Sequence, residues 1–172
     1  MPSSLPGKEL PTDPGDNPCW VCGPRNPLGL RLRMFDDGKV VRARAELDDR
    51  YCGWPGTVLE GVVYAAMDDV LYWTAWARLR ELVHTDGKPE VAFPGRVRTN
   101  EPFVIEALHV GALADGWHRF EAVVLQRETA QARMAVRARL RTVDELKALL
   151  ELPDMPRSLQ GDLEAALAAR GS

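Results

Sequence analysis

Two adjacent carboxylates, Asp68 and Asp69, lie in the middle of a long apolar segment that runs from Trp54 to Trp76. Apolar residues cover nearly every side of this segment when it is drawn as a helix, which is typical of a buried helix. A carboxylate in such a helix is costly to bury unless it is paired, hydrogen-bonded or used in a reaction. Asp68 and Asp69 are therefore candidates for a general base or a nucleophile.

The start of the same helix is a second candidate for chemistry. Pro55 and Gly56 form a turn that leads into the helix, and the first backbone N–H groups of any helix lack partners within it. Such groups, together with the helix dipole, favour a negative charge. A structural interpretation competes here, because Thr57 and Glu60 have the spacing of a capping box, in which the Thr57 hydroxyl accepts from the N–H of Glu60 and the Glu60 carboxylate accepts from the N–H of Thr57.

Asp68 and Asp69 are about 100° apart around the helix axis, so they cannot share one environment. Asp68 falls on a stripe with Tyr64 and Tyr72, which can hydrogen-bond to it or line an aromatic pocket. Asp69 falls on the side of Trp73. The alternative is that one or both carboxylates cap loops or bridge a subunit interface.

Cys19 and Cys22 have the spacing of one half of a zinc site. A structural zinc ion needs four ligands, and the sequence has no second paired motif. Cys52 and a histidine would complete a site only if the fold happened to bring them close. We therefore predict a loop with buried thiols and no metal site.

Composition indicates one globular domain. The chain has 172 residues, of which 45% are apolar and 27% charged, with a net charge of −3. This balance predicts neither a nucleic-acid nor a membrane partner, and no apolar run reaches the roughly 18 residues that span a bilayer. Residues 1–18 are Pro-rich and predict a flexible lead-in without a signal peptide, so we expect a cytoplasmic protein.

The pattern of apolar residues predicts one antiparallel sheet around one central helix. The predicted elements, in order, are a hairpin of strands at 30–35 and 40–47, a helix at about 58–83 that ends near Gly87, strands at 91–98, 103–113, 117–125 and 132–143, and short helices at 144–152 and 158–170. The domain therefore spans 19–143, and 144–172 form a helical tail.

Two motifs carry a resemblance to a known family. Residues 19–30 fit the pattern Cys-x-x-Cys-Gly-Pro-x-Asn-Pro-x-Gly-Leu, and residues 53–56 fit a Gly-x-Pro-Gly turn. With the acidic pair in the following helix, the chain resembles the hotdog-fold thioesterase superfamily, in the branch of the phenylacetic-acid-pathway acyl-CoA thioesterases. The resemblance implies an α+β hotdog fold with five or six antiparallel strands around a central helix, assembled as a homodimer or homotetramer.

The resemblance also implies roles for residues. It makes Asp68 the base or nucleophile of an acyl-CoA thioesterase, with Asp69 beside it, and the N–H groups of Glu60 and Gly61 the donors to the developing oxyanion. The carboxylate and the donors come from different subunits. Coenzyme A enters as part of the substrate, a small-molecule acyl thioester, and no separate cofactor is implied. Leu59 stands where the family has a histidine.

Further residues bear on the ligand and on the reaction. Four aromatic residues suggest a bulky or aromatic acyl group: Trp54, Tyr64, Tyr72 and Trp73. One face of the last strand carries Arg133, Arg137, Arg139 and Arg141, which form a solvated face or hold coenzyme A phosphates.

Because the family histidine is missing, a non-catalytic acyl-CoA or small-ligand binding protein is an alternative. An acyl-thioester hydratase or dehydratase is a third.

Overall fold

The structure, a computed structural model, describes residues 5–12 and 17–150. Its strands are β1 (Lys8–Glu9), β2 (Met34–Asp36), β3 (Val41–Ala45), β4 (Cys52–Trp54), β5 (Thr57–Val58), β6 (Leu82–Thr85), β7 (Glu90–Ala92), β8 (Phe103–Ala112), β9 (His118–Gln126) and β10 (Thr129–Arg141). Its helices are a 3-10 turn at Asp49–Tyr51, α1 (Glu60–Leu79) and α2 (Val143–Leu150).

Helix α1 packs against one antiparallel sheet of eight strands. The order across the sheet is β1-β2-β3-β8-β9-β10-β6, and β7 pairs with another part of β10. Strands β4 and β5 form a separate small hairpin before the helix. The predicted α+β arrangement is confirmed. The sheet has two more strands than expected, because β1 and β6 add short strands at its two edges.

The core lies between the inner face of the sheet and α1. Strands β3, β8, β9 and β10 alternate buried and partly exposed residues, as expected for a sheet with one covered face. Alanines on this face give α1 room for its larger side chains. The buried residues of the sheet include Val41, Ala43, Phe103, Ile105, Ala107, Phe120, Ala122, Val124, Met134 and Ala138.

Helix α1 ends earlier than the sequence predicts. Arg80 adopts a left-handed conformation (φ 55°) and its N–H donates to the carbonyl of Trp76 at 2.9 Å, which closes the helix. The chain then forms β6 along β10 instead of continuing to Gly87. The prediction was wrong because the open edge of β10 offers backbone hydrogen bonds that local sequence does not reveal.

The predicted strand at 91–98 is also shorter. Only Glu90–Ala92 pairs with β10, because Pro94 cannot donate to the ladder. Beyond it the chain turns to the start of the helix, where the carbonyl of Val97 accepts from the N–H of Val58 at 2.9 Å.

The two ends of the chain differ from the predictions in different ways. The lead-in is not loose where it is described, because β1 pairs with β2 and both Leu10 and Thr12 are buried. In the tail, α2 confirms the first predicted helix, whereas the second, at 158–170, lies outside the described residues. Over the described ranges, no helix combines the length and the apolar character needed to span a bilayer.

Candidate functional site

Backbone hydrogen bonds fix the entrance to α1. The N–H of Leu59 donates to the carbonyl of Tyr51 at 2.8 Å, and the N–H of Thr99 donates to that of Gly56 at 3.3 Å. Gly56 has φ of 76°, a conformation that favours glycine in the turn before the helix. The first turn of α1 is therefore held from both sides without any ligand.

In the part of the chain that the structure describes, no side chain caps the N-terminus of α1. The predicted capping box is wrong, because the Thr57 hydroxyl donates to the carbonyl of Trp54 at 3.1 Å, while Glu60 forms an ion pair with Arg96 at 3.0 Å. Among the described residues, no acceptor receives the backbone N–H of Glu60 or Gly61. The N–H of Glu60, which the predicted cap would have occupied, and the N–H of Gly61 are thus available to a ligand.

The surface around these donors is open and partly apolar. A Cβ added at Gly61 would meet nothing within 4 Å. Trp54 is 78% exposed and Leu59 is 50% exposed, although both are large apolar residues. This end of the helix therefore presents two free N–H groups on open surface, and the segment that leads into it carries two exposed apolar side chains.

Asp68 lies on the side of α1 that the sheet does not cover fully. Tyr64 and Asp68 are half-buried and Tyr72 is 37% exposed, whereas their neighbours along the helix are mostly buried. Burial raises the pKa of the Asp68 carboxyl. A narrow crevice of about 10 Å³ runs beneath it, lined by Asp68, Leu71, Tyr72, Val83, Thr85, Phe120, Val136 and Ala138.

Asp69 has different surroundings, because it lies under the loop that contains Cys19 and Cys22. The Cys19 thiol donates to Asp69 Oδ1 at 3.7 Å, and the ligand atoms of all three residues lie within 4.8 Å of one another. Asp69 Oδ2 is buried and has no hydrogen-bond partner. Burial, followed by the nearby Cys19, raises the pKa of the Asp69 carboxyl to about 8.

The two thiols are also unequal. A hydrogen bond from the Cys22 thiol lowers the pKa of Cys19 to about 5, assisted by the N–H groups of Cys22 and Val21. The same bond and burial raise the pKa of Cys22. The search for metal ligands in the sequence considered only cysteines and histidines, so it missed Asp69. An apolar helix with an otherwise unpaired carboxylate was the signal that could have revealed it.

Comparison with known proteins gives matches among solved structures alone, since no protein-family model and no curated protein matches the chain. A thioesterase superfamily protein is 18% identical over 68% of this chain and 60% of its own, with a TM-score of 0.60. A protein from Streptococcus mutans solved with acetyl CoA is 12% identical over 64% of this chain and 88% of its own (TM-score 0.57). The chain has the hotdog fold.

A third solved structure comes from the branch that the sequence motifs indicate. It is a variant of the phenylacetic acid degradation protein PaaI from Thermus thermophilus, 14% identical over 66% of this chain and 95% of its own, with a TM-score of 0.55. The hotdog chain described here spans three fifths of the first of these neighbours. At these identities the likeness establishes the fold.

Within the hotdog fold, the four predicted aromatic ligand-binding residues separate into two groups. Trp54 is exposed on β4, whereas Tyr64 and Tyr72 are partly exposed on α1. Trp73 is buried and packs edge-on against Trp76, with ring centroids 5.8 Å apart. Trp73 therefore belongs to the core of this chain and does not line the open surface.

Two of the arginines on the outer face of β10, Arg137 and Arg139, already have partners. Arg137 pairs with Asp115 at 2.5 Å, and Arg139 lies over the ring of Trp117 at 4.6 Å. A different basic pocket, of about 320 Å³, lies near the start of α1 and is lined by Arg96, Arg98, Gln126, Arg127, Thr129 and Gln131. Sequence reasoning missed it because its arginines come from separate segments.

No histidine accompanies the α1 carboxylates. His109 and His118 hydrogen-bond to each other at 3.0 Å across β8 and β9, and burial, followed by the charge of His118, lowers the pKa of His109. His84 lies on the edge strand β6. The histidine–acid pair that the hydratase alternative usually needs is therefore not formed with Asp68 in the described part of the chain.

Proposed function

We propose that this protein hydrolyses an acyl thioester of coenzyme A in a cleft between two copies of the hotdog domain. The observation that carries the proposal is the uncapped start of α1, where the N–H groups of Glu60 and Gly61 have no acceptor among the described residues. Asp68 lies further along the same helix, on the side that the sheet leaves partly open. The solved neighbours support this choice, since one is a thioesterase superfamily protein and another holds acetyl CoA.

Two copies are needed because, within one chain, Asp68 lies too far from the N–H groups at the start of α1. Asp68 follows Gly61 by seven residues, which corresponds to about 10 Å along a helix that rises 1.5 Å per residue. A base and an oxyanion donor must both lie within about 3 Å of the reacting groups. The donors of one helix therefore act with the Asp68 carboxylate of a second copy, and the contact between the copies would also cover the exposed side chains of Leu59 and Tyr72.

The chemistry follows from these two groups. The N–H groups of Glu60 and Gly61 hydrogen-bond to the thioester carbonyl oxygen and stabilise the oxyanion. The Asp68 carboxylate takes a proton from a water molecule, whose oxygen forms a bond to the carbonyl carbon. The C–S bond then breaks, and the departing thiolate takes the proton from Asp68. Arg96 offsets the charge of Glu60, which would otherwise repel the oxyanion.

The basic pocket near the helix start suits the coenzyme A part of the substrate. Arg96 connects the two, because it lines the pocket and also contacts Glu60. Guanidinium groups bind phosphate oxygens through paired, charge-assisted hydrogen bonds. We therefore assign the phosphates to the pocket of Arg96, Arg98 and Arg127, and not to the outer face of β10.

The test is thiol release from a panel of short, long and aromatic acyl-CoA substrates, with wild type beside Asp68→Asn. We expect turnover that falls by about 10²–10⁴-fold in Asp68→Asn, the range for loss of a general base. Glu46→Gln is the matched control, because Glu46 is an exposed carboxylate on the chain before the 3-10 turn. Thermal unfolding of each variant separates lost chemistry from lost folding.

A second candidate, non-catalytic binding of an acyl-CoA, has one observation in its favour. Leu59, which has no titratable group, lies exposed where the family has a histidine, and Glu60 places a carboxylate beside the oxyanion position. Saturable binding of acyl-CoA by the folded wild type, with no thiol released from any substrate, would establish this candidate and overturn hydrolysis.

A further inference from the structure

We infer that Cys19, Cys22 and Asp69 form a binding site for a divalent cation of the zinc type. This inference is independent of the proposed hydrolysis, because the cluster lies on the loop side of α1 and uses neither the helix start nor Asp68. Two ligands come from the Cys19–Cys22 loop and one from the middle of α1. The fold thus brings together residues that are about 50 positions apart in the sequence.

The spacing of the three groups is close to that of a coordinated ion. Their ligand atoms, two Sγ and one carboxylate oxygen, all lie within 4.8 Å of one another. Zinc bonds of about 2.3 Å to sulfur in a tetrahedral site place two sulfurs roughly 3.8 Å apart. The site therefore needs side-chain adjustments of about an ångström, with no rearrangement of the backbone.

The Asp69 carboxylate lacks the partners that a buried acid needs. Among the described residues, Oδ2 is buried without a hydrogen bond, and Oδ1 accepts from the Cys19 thiol at 3.7 Å. In the described chain, no Lys, Arg or His forms an ion pair with it. Buried carboxylates are normally paired or coordinate a metal. A cation between the carboxylate and the two sulfurs supplies the missing partner.

Hydrogen bonds and close packing within the loop fix the positions of the Cys19 and Cys22 sulfurs. The N–H of Val21 donates to Cys19 Sγ at 3.4 Å, and the amide of Asn17 donates to Cys22 Sγ at 3.7 Å. A Cβ at Gly23 would lie 2.4 Å from the Asn17 carbonyl oxygen and 2.5 Å from the Cys19 nitrogen, so only glycine allows this turn. Donors to the sulfurs stabilise thiolates, as outer-shell groups do around metal ligands.

The ligand types select the kind of ion. Two thiolates and one carboxylate suit zinc, which is borderline soft, and disfavour magnesium and calcium, which prefer oxygen ligands alone. With three ligands from the described chain, the fourth position is left for water or an added ligand. Coordination would fix the loop to α1 one residue from Asp68.

The test is metal titration of the full-length protein, reduced and stripped with a chelator beforehand. Zinc and, as a spectroscopic probe, cobalt are added separately. We expect one equivalent of either ion per chain, a sulfur-to-cobalt charge-transfer band in the near ultraviolet, and an unfolding temperature that rises with zinc. Cys19→Ser, Cys22→Ser and Asp69→Asn should each weaken cobalt binding by about 100-fold or more, since even outer-shell changes cost 10- to 100-fold.

Cys52→Ser is the matched control, because Cys52 is exposed and lies outside the cluster. It should bind cobalt as the wild type does. Circular dichroism of each metal-free variant shows whether it is folded, and two cysteine variants are made so that one misfolded protein does not decide the result. A folded wild type that shows no charge-transfer band overturns the inference. So does a band that survives in Cys22→Ser. A third contradicting result is a protein in which Cys19 and Cys22 are joined by a disulfide as purified and which takes up no metal once that disulfide has been reduced.

Discussion

The two ends of α1 differ in whether their free backbone groups are satisfied. At the start, no side chain caps the helix and the N–H groups of Glu60 and Gly61 face open surface. At the end, the Arg80 N–H donates to the carbonyl of Trp76, and the Arg80 guanidinium lies 4.3 Å from the Trp76 ring centre. Arg78, in the last turn, donates two hydrogen bonds to Asp36 at the end of β2.

This difference separates the end of the helix that is tied to the sheet from the end to which we assign the proposed chemistry. Every helix has unsatisfied backbone groups at both ends, and satisfying them contributes to stability. Here the C-terminal end is closed and tied to the sheet by the mostly buried Asp36–Arg78 ion pair. The N-terminal end is held in place by backbone bonds from its entry loop, so its donors remain open without loss of position.

The largest effect is expected from removing one donor at the open end. Glu60→Pro deletes an N–H, whereas Glu60→Ala removes the same side chain and keeps the N–H. Proline is well tolerated at the first helical position, and Leu59 before it is already extended (ψ 129°). With an acyl-CoA that the wild type hydrolyses, we expect kcat/KM of Glu60→Pro to lie about 10²–10³-fold below that of Glu60→Ala, at similar unfolding temperatures. Equal values for the two variants would contradict a role for this donor.

The sequence predicts the long strands that pack against α1 more accurately than it predicts where α1 ends. Strict alternation in β8, β9 and β10 is a local property, so these strands are predicted within a few residues. The edge strands β1 and β6 depend on hydrogen bonds offered by distant strands, and their own residues carry no alternation. Motif resemblance supplied the hotdog fold that periodicity alone leaves as a helix on a sheet.

The candidate site was predictable in part for similar reasons. Asp68 and the Glu60–Gly61 donors follow from the apolar helix and the turn before it, which are contiguous in sequence. The capping box failed because Arg96, 36 residues away, competes for the Glu60 carboxylate. Asp69 with Cys19 and Cys22 was missed because the loop folds back onto the helix from far away in the chain. Long-range contacts are what a single sequence does not display.

The second-largest effect is expected on stability, at the C-terminal end of α1. Arg78→Met keeps most of the packing of the side chain and leaves the Asp36 carboxylate unpaired. Because both side chains are mostly buried, we expect a loss of about 1–3 kcal/mol in the free energy of unfolding, between the values for exposed and fully buried pairs. Urea titration measures it. Arg50→Met, which removes a surface ion pair to Asp48, should leave stability unchanged.

The pH dependence of this pair has a definite sign. The Arg78 guanidinium holds the pKa of Asp36 below its usual value. An acid with a depressed pKa stabilises the fold above its unfolded value of about 3.9 and loses that contribution as the pH falls through the folded value. The stability difference between wild type and Asp36→Asn should thus be constant above about pH 5 and shrink below pH 4. A difference that grows on acidification would show that Asp36 is not held as a paired carboxylate.

The smallest effect separates two opposing contributions at Arg80. Its left-handed conformation costs about 1 kcal/mol relative to glycine, and its guanidinium gains about 0.5–1 kcal/mol from the Trp76 ring. Arg80→Gly relieves the first and loses the second, so its free energy of unfolding should lie within about 0.5 kcal/mol of the wild type. Arg80→Ala loses the ring contact and keeps the backbone cost, so it should be less stable than Arg80→Gly by about 1 kcal/mol. If both variants unfold alike, the end of α1 is set by β6 pairing with β10 and not by the residue at its cap.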